Sequence, residues 1–347
     1  MTKAKNLGIN ELLRYAVSYH ASDLHLSSGV IPLVRVDGDL KPIEGTCSLD
    51  EPTIESMLLT LLPEQYKSIL ANQLDIDLGL GSSDLQARFR INIFHQNRGI
   101  SVAIRLLPMK IPTLKELQLP DIFYKLCEIP NGLILVTGAT GSGKSTTLAA
   151  MLDYINSTLS SHILTIEDPI EYVHEPKKCL IQQREVKKHT DSFDNALRAA
   201  LREDPDYILV GEMRDLETIR LALTAAETGH LVFATLHTNS THESIDRIVD
   251  TFPTNEKPLI RTMLADSLQA VIAQRLLKKV SSGRIAATEV MVCNTAIRNL
   301  IRENKAAQIH SSIQTGREHG MHTLAQSVKE LIAQGLVNKG LHQHLAT

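Results

Sequence analysis

The chain of 347 residues contains no tryptophan, and only 4% of its residues are aromatic. Proteins that hold single-stranded nucleic acid commonly stack the bases on aromatic side chains, so this scarcity argues against such a role. The formal net charge of -3 also lacks the basic excess that nucleic-acid binding favours. We therefore expect no nucleic-acid partner, although a basic pore in an acidic chain is compatible with these totals.

Long apolar runs are absent as well. None approaches the ~20 residues that a membrane-spanning helix needs, and residues 1–6 lack the apolar segment of a signal peptide. The few cysteines are too scattered for a C-x2-C metal site or a disulfide framework: Cys47, Cys127, Cys179 and Cys293. These absences predict a protein of the reducing cytoplasm.

The length predicts two domains. Residues 1–107 are predicted to form a small α+β domain, because a helical apolar pattern over residues 9–19 is followed by segments that alternate with period two. Asp37-Gly38 is a strong hairpin signal after residues 33–36. Residues 108–112 carry two prolines and are predicted to be a linker, which leaves residues 113–347 as the second domain.

The second domain alternates apolar runs with helical patterns, which predicts an α/β fold with a mostly parallel sheet. The predicted core strands are 133–136, 163–166, 207–210 and 231–236, and the predicted helices are 145–158, 192–202 and 215–228. Residues 257–347 are predicted to form helices without further strands. Ligands in such sheets bind beyond the carboxyl ends of the strands, so the polar residues at those ends are the candidates for function.

The strongest motif follows the first of these runs. Residues 138–145 have the pattern Gly-x4-Gly-Lys-Ser of a phosphate-binding loop between a strand and a helix. Lys144 is expected to meet the β- and γ-phosphates of a nucleotide, and the Ser145 hydroxyl to ligate Mg²⁺. The residues predicted to bind ATP are Gly138, Ala139, Thr140, Gly141, Ser142, Gly143, Lys144, Ser145 and Thr146.

Acidic residues follow two of the other strands. Glu167, Asp168 and Glu171 come directly after residues 163–166, where carboxylates can bind Mg²⁺ through water or orient a nucleophilic water. A solvated acidic loop would have the same sequence. Glu212 follows residues 207–210 in the Walker B arrangement, with Glu in the place of the commoner Asp. Arg214 and Asp215, which follow after Met213, are interpreted as a surface ion pair.

Histidines and arginines complete the candidate site. His237 lies just beyond the last predicted strand, where the γ-phosphate would be sensed, and His230 lies at the start of that strand. Phosphoryl transfer is commonly accelerated by arginine fingers. Arg90 and Arg105 of the first domain are the candidates, although the polar outer face of a sheet would also carry such residues.

With these motifs in place, the chain resembles the pilus retraction ATPases of the secretion ATPase superfamily of type II and type IV systems, essentially from end to end. The resemblance rests on residues 22–26 (SDLHL), 88–90 (RFR), 138–146, 167–171, 211–212, 228–230, 236–239 and 296–303 (AIRNLIRE). The last of these is the most specific, since it matches a motif associated with retraction. One departure is the Lys187-Lys188-His189 segment, which adds positive charge but touches no expected catalytic residue.

The resemblance implies a PAS-like first domain and a RecA-like second domain, assembled as a cytoplasmic hexamer with nucleotide between the two domains. It implies that Glu171 is the general base and that Glu212 supports Mg²⁺ and the attacking water. His230 and His237 are implied to contact the phosphates, and Arg90 and Arg105 to act as arginine fingers. The implied partner is an inner-membrane platform protein at the pilus base, and through it the pilin filament. Residues 296–303 are expected to transmit force.

Three alternatives stay open at the sequence level. An accessory retraction ATPase and a type II secretion ATPase share the motifs, and a nucleic-acid translocase shares the RecA-like ring. The extension ATPases of the superfamily are disfavoured, because the chain lacks their four-cysteine zinc motif. A nucleotide-binding regulator without catalysis is disfavoured because every expected catalytic position is filled.

Overall fold

The computed structural model describes residues 7–64, 66–67, 74–85, 87–107 and 109–341. Contacts divide the chain into two units, Met1–Lys110 and Ile111–Thr347. Pro108, with which the predicted linker begins, lies outside the described residues, as do residues 1–6 and 342–347 of the predicted domains.

The first unit is an antiparallel sheet with helices packed on one face. Its helices are α1 (Ile9–Ser18) and α2 (Glu51–Leu61), and its strands are β1 (Asp23–Ser27), β2 (Leu33–Val36), β3 (Asp39–Pro42), β4 (Asp75–Ser82), β5 (Ala87–Gln96) and β6 (Gly99–Leu107). The strand order is β3-β2-β1-β6-β5-β4, and every pair is antiparallel. Buried residues of α1 and α2 form one core with the inward side chains of the strands.

The hairpin predicted at Asp37-Gly38 is present between β2 and β3. Both residues have positive φ, 53° at Asp37 and 96° at Gly38, as a two-residue hairpin turn of the favoured twist requires. Along β5, buried and half-buried residues alternate, so Arg88 and Arg90 share the face opposite the core. Sequence analysis did not predict α2 or β4.

The second unit is a seven-stranded sheet with helices on both faces. Its strands are β7 (Gly132–Thr137), β8 (His162–Glu167), β9 (Leu180–Glu185), β10 (Tyr207–Val210), β11 (Leu231–Leu236), β12 (Leu268–Lys278) and β13 (Arg284–Val292). The order is β13-β12-β7-β11-β10-β8-β9, with all pairs parallel except β12 with β13. Two apolar clusters flank the sheet, one on each face. The predicted α/β class and parallel sheet are confirmed.

The described residues of this unit form nine α-helices, five of which begin at a residue whose side chain caps the helix. The nine helices are α3 (Ile122–Cys127), α4 (Lys144–Thr158), α5 (Phe193–Ala200), α6 (Leu216–Glu227), α7 (Thr241–Asp250), α8 (Lys257–Ser267), α9 (Thr295–Arg302), α10 (Ile309–Thr315) and α11 (Leu324–Ala333). Short 3-10 turns lie at Ala306–Gln308, Arg317–His319 and Lys339–Leu341. Side chains of Ser192, Asp215 and Asn294 accept backbone N–H groups of the first turns of α5, α6 and α9, which satisfies donors that a helix leaves unpaired.

The prediction that residues 257–347 hold no further strands is wrong. β12 and β13 lie there, and β12 pairs directly with β7 at the centre of the sheet. The segment is rich in Leu, Ala, Gln and Arg, which are good helix formers. Its position between two other strands buries Ala270 to Ala273 completely or nearly so, and this burial on both faces overrides the local preference.

No helix within the described part of the chain combines the length and the apolar character that crossing a bilayer requires. The four cysteines are free thiols.

Candidate functional site

The predicted phosphate-binding loop joins the carboxyl end of β7 to the start of α4. Gly138, Gly141 and Gly143 have positive φ of 143°, 77° and 90°, which residues with a Cβ rarely adopt. At Gly138 the approach of other atoms is also too close, because a Cβ would lie 2.4 Å from the backbone oxygen of Gln274. The loop is therefore a tight turn against β12 that only these glycines allow.

The side chain of Gln274 on β12 stabilises this turn through two hydrogen bonds. Its Nε2 donates to the carbonyl oxygen of Ser142 at 2.7 Å, and its Oε1 accepts from Thr147 Oγ1 at 2.8 Å. The residue is 2% exposed, so both bonds form away from water. Sequence reasoning missed Gln274, although an uncharged polar residue within an apolar run is the signal that could have found it.

Lys144 is the first residue of α4 and is 9% exposed. Its Nζ donates to the carbonyl oxygens of Gly138 at 2.7 Å and Ala139 at 3.1 Å. Burial lowers the pKa of Lys144, and the charges of Glu212 and Glu171 oppose that shift. The structure thus brings together the cation of the loop and the two acids that the sequence singled out on neighbouring strands.

The loop fits a phosphate ligand. The Ser142 hydroxyl oxygen is buried and has no hydrogen-bond partner among the described residues, which is costly unless a ligand or water satisfies it. It lies in a glycine-rich turn at the amino end of α4, a helix of 15 residues, where backbone N–H groups and the helix dipole favour an anion. Beside it, Thr146 Oγ1 is 2.8 Å from the Tyr172 hydroxyl, so one side of the loop is anchored to the segment after β8.

Glu212 is held between Arg214 and His237. Its Oε2 lies 2.6 Å from Arg214 Nη2, and its Oε1 lies 3.1 Å from His237 Nε2. Burial acts to raise the pKa of Glu212, but the hydrogen bonds and charges of Arg214 and His237 outweigh it, so the pKa lies below its ordinary value. Glu212 is therefore ionised at neutral pH and fixed in place.

This arrangement corrects the interpretation of Arg214 and Asp215 as a surface pair. Arg214 binds Glu212, while Asp215 accepts the backbone N–H and the hydroxyl of Thr218 at 2.8 and 2.9 Å and caps α6. Arg214 is thus an additional residue of the site that sequence reasoning did not assign.

The acids after β8 have separate environments. Glu167 accepts hydrogen bonds from Thr165 Oγ1 at 2.7 Å and Gln183 Nε2 at 3.2 Å, and burial raises its pKa to about 7. Glu171, four residues further on, is the member of this group whose charge acts on Lys144. Glu167 is therefore an internally bonded acid, whereas the charge of Glu171 acts on the lysine of the loop.

The two candidate histidines lie at opposite ends of β11. Leu236 pairs with Thr137 at the loop end of the sheet, whereas Leu231 pairs with Gly132 at the other end. His230 precedes Leu231, and its Nδ1 lies 3.0 Å from the carbonyl oxygen of Ala225. A strand of this length spans ~20 Å, so a contact of His230 with a nucleotide in its own loop does not fit the structure. His237 does lie at the loop end.

A second buried acid supports this edge of the sheet. Glu289 of β13 accepts the backbone N–H of Thr241 at 3.1 Å and its hydroxyl at 2.8 Å. Thr241 is the first residue of α7, shortly after His237. Glu289 therefore fixes the segment that follows the histidine, another contribution of the strands that sequence reasoning missed.

The candidate arginine fingers lie on the polar face of the sheet in the first unit. Arg90 and Arg105 are directly opposite each other on β5 and β6. Arg90 binds Asp77, with Nη2 2.6 Å from Oδ2, and Arg105 Nε lies 3.0 Å from Asp23 Oδ1. Both guanidinium groups are thus engaged by carboxylates of neighbouring strands.

A glycine-rich loop before a helix, with acids at the ends of the adjacent parallel strands, defines a P-loop nucleotide-binding protein. The family described as type II/IV secretion system protein matches residues 5–282. The type IV pilus retractation ATPase PilT of Pseudomonas aeruginosa is 54% identical over 333 residues, which cover 96% of each chain. A twitching motility protein of Neisseria gonorrhoeae is 52% identical over 88% of this chain and 82% of its own.

Solved structures agree in fold. A crystal structure of the pilus retraction motor PilT with bound ADP aligns with a TM-score of 0.88 at 48% identity, covering 98% of this chain and 97% of the other. The ATPase DotB of Legionella pneumophila aligns with a TM-score of 0.85 at 28% identity, covering 97% and 95%.

The chain belongs to the type II/IV secretion system protein family, and it is an ATPase. The predicted family, enzyme class and nucleotide binding are confirmed by these matches.

Proposed function

We propose that this chain is an ATP-hydrolysing motor that powers the retraction of type IV pili, and thereby twitching motility. The observation that carries the proposal is the match to the Pseudomonas aeruginosa retraction ATPase over 96% of both chains at 54% identity. The matches to that protein and to a twitching motility protein confirm the function that the resemblance implied.

The residues of the loop hold the phosphates in this proposal. Lys144 exchanges the carbonyl oxygens of Gly138 and Ala139 for the β- and γ-phosphates, which is favourable because a charge–charge contact replaces a charge–dipole contact in a buried setting. Ser145 and Glu212 hold Mg²⁺, the latter through water. When bound, Mg²⁺ would supply positive charge that stabilises the charge developing on the leaving group.

Glu171 removes a proton from the attacking water, and Glu212 orients that water and supports the metal. Glu171 suits the first role because its charge acts on the buried lysine of the loop. His237, bonded to Glu212 at 3.1 Å, is placed to sense whether the γ-phosphate is present. Arg90 and Arg105 supply positive charge to the transferring phosphoryl group.

The assembly proposed is a homohexamer in the cytoplasm at the base of the pilus. Its partner is the inner-membrane platform protein, through which it acts on the pilin filament. We propose that residues 1–107 form a PAS-like domain, 108–112 a linker, and 113–347 a RecA-like ATPase domain.

Relatives of other branches are less similar. The type IV pilus ATPase PilU of Pseudomonas aeruginosa is 38% identical over 94% of this chain, against 54% for PilT. The type II secretion system protein HxcR is 32% identical and is covered over 74% of its length. These sequence identities favour the retraction motor over the accessory and secretion ATPases.

Two variants test the enzyme. Glu212→Gln should keep nucleotide affinity and lower the ATP turnover number about 100-fold, because only metal support and water orientation change. Lys144→Ala should weaken nucleotide binding itself. Glu318→Gln, an exposed acid outside the site, is the matched control. ATP hydrolysis by Glu212→Gln at the rate of the natural chain would show that the assignment of this acid is wrong.

Complementation tests the cellular role. The chain, expressed in Pseudomonas aeruginosa lacking PilT, should restore twitching, and Lys144→Ala should not. Restoration only in a strain lacking PilU would instead indicate the accessory function.

A further inference from the structure

Four charged side chains form a row across the polar face of the sheet in the first unit. The strand registers place Arg35 opposite Asp23, Asp23 opposite Arg105, and Arg105 opposite Arg90. Residues directly opposite on antiparallel strands have their Cβ atoms about 4.5–5.5 Å apart. The charge of each side chain in the row therefore acts on the next side chain.

One pair of neighbours in the row repels electrostatically. Arg90 and Arg105 are like charges in directly opposite positions, which is destabilising. Each is drawn to the side away from the other: Arg105 to Asp23 on β1, and Arg90 to Asp77 on β4. The two carboxylates thus flank the arginine pair, one on each side.

The two members of the Asp23–Arg105 pair differ in exposure. The side chain of Asp23 is 13% exposed and that of Arg105 is 57% exposed. Asp23 is further fixed by the Ser22 hydroxyl, which donates to its Oδ2 at 2.8 Å, and by Arg35 at 4.0 Å. Arg105 therefore donates from Nε to a fixed acid, while more than half of the arginine side chain stays exposed.

The Asp77–Arg90 pair repeats the arrangement on the other flank. Arg90 donates from Nε to both oxygens of Asp77 at 3.2 Å and from Nη2 to Oδ2 at 2.6 Å. Ion pairs this exposed contribute little to folding stability. The orientation of the arginine is the larger consequence of the contact.

We propose that Asp23 and Asp77 are positioning residues for phosphoryl transfer, which hold Arg105 and Arg90 apart and oriented so that both can meet the transferring phosphate. This inference rests on the proposed role of the two arginines. It also assigns a role to Asp23 of the SDLHL motif at residues 22–26, a motif to which the catalytic assignments give no role.

The full-length chain with Asp23→Asn or Asp77→Asn tests the proposal. We expect the turnover number to fall about tenfold or more, because misplacing a catalytic group by ~1 Å can cost up to 100-fold. The Kd for fluorescently labelled ADP should stay within about twofold, since neither acid belongs to the phosphate-binding loop. Asp75→Asn, an exposed acid on the same face of β4, is the matched control for the charge change and should turn over normally.

A double-mutant cycle shows whether Asp23 acts through Arg105. If it does, Asp23→Asn combined with Arg105→Gln should be no slower than Arg105→Gln alone, because residues that act as one unit are not additive. Additive losses, or a turnover number of Asp23→Asn that is unchanged or raised, would overturn the inference. The same cycle applies to Asp77 with Arg90.

The design separates this inference from the proposed function. If Arg105→Gln and Arg90→Gln both hydrolyse ATP normally, the arginine-finger proposal fails. If they are slow but the aspartate variants are not, only the positioning inference fails. Should Asp23→Asn not fold, Asp77→Asn decides, because Asp77 is 42% exposed and its replacement leaves the core intact.

Discussion

Replacing Gln274 by methionine tests how the phosphate-binding loop is held. Methionine has nearly the same length but neither hydrogen-bonding group, so Gln274→Met removes the bonds to Ser142 and Thr147 and little volume. Both partners would then be buried without a bond, at a cost of about 1–3 kcal/mol each. We expect the second unit to lose about 2–4 kcal/mol of folding free energy.

That loss corresponds to a fall in unfolding temperature of roughly 5–15 °C for a unit of this size. The loop would also lose its support from β12, and even about 1.4 kcal/mol of added cost to order it raises the Kd for ADP tenfold. Thermal unfolding and a fluorescent-nucleotide titration measure the two effects. Gln314→Met, at an exposed position of α10, is the control and should change neither. A normal Kd together with a normal unfolding temperature in Gln274→Met would refute the reasoning.

Four further predictions concern the buried acid Glu167, the arginines Arg298 and Arg302 of α9, and the assembly of the chain. Because burial raises the pKa of Glu167 to about 7 from an ordinary 4.5, the folded chain holds a proton that the unfolded chain has released, and stability is lost as pH rises through that range. Between pH 5 and pH 8 the free energy of unfolding of Glu167→Gln, measured with urea, should therefore fall less than that of the natural chain. Parallel plots of this free energy against pH for the two chains would contradict the prediction. Arg298→Ala should lower the unfolding temperature by several degrees, since Arg298 donates to the carbonyl oxygens of Ala265 and Asp266 at the end of α8. Arg302→Ala removes an exposed ion pair with Asp266 and an exposed hydrogen bond to Asn299 Oδ1. Its stability should stay within about 1 kcal/mol of that of the natural chain, so loss of twitching in that variant would support the force-transmitting role predicted for residues 296–303. Light scattering should show six copies with ATP present, and a monomer with and without ATP would count against the ring.

The parts of the fold that the sequence predicted are those with a strong local signal. The strands at 133–136, 207–210 and 231–236 are short apolar runs between turn residues, and each coincides with a core strand. The helix at 145–158 begins within one residue of α4. In α9, Ile297 and Ile301 are buried as the helical spacing indicates.

What the sequence could not predict depends on partners distant in the chain. β12 is a strand only because β7 and β13 lie on either side of it, and its residues taken alone favour a helix. The roles of Gln274 and Arg214 likewise depend on the groups placed next to them by the sheet. His230 was assigned to the phosphates by motif, whereas strand direction places it at the other end of β11.

The support of the loop by β12 has a consequence for the order in which the protein can be made. Gln274 bonds to a residue 132 positions earlier in the chain, so the ribosome has synthesised nearly four-fifths of the protein before the nucleotide site can be completed. Until then the apolar edge of β7 has no neighbour on that side, and open strand edges favour pairing with other chains. Fragments that end before residue 268 should therefore neither bind nucleotide nor stay monodisperse, and during translation this edge is the surface that most needs shielding.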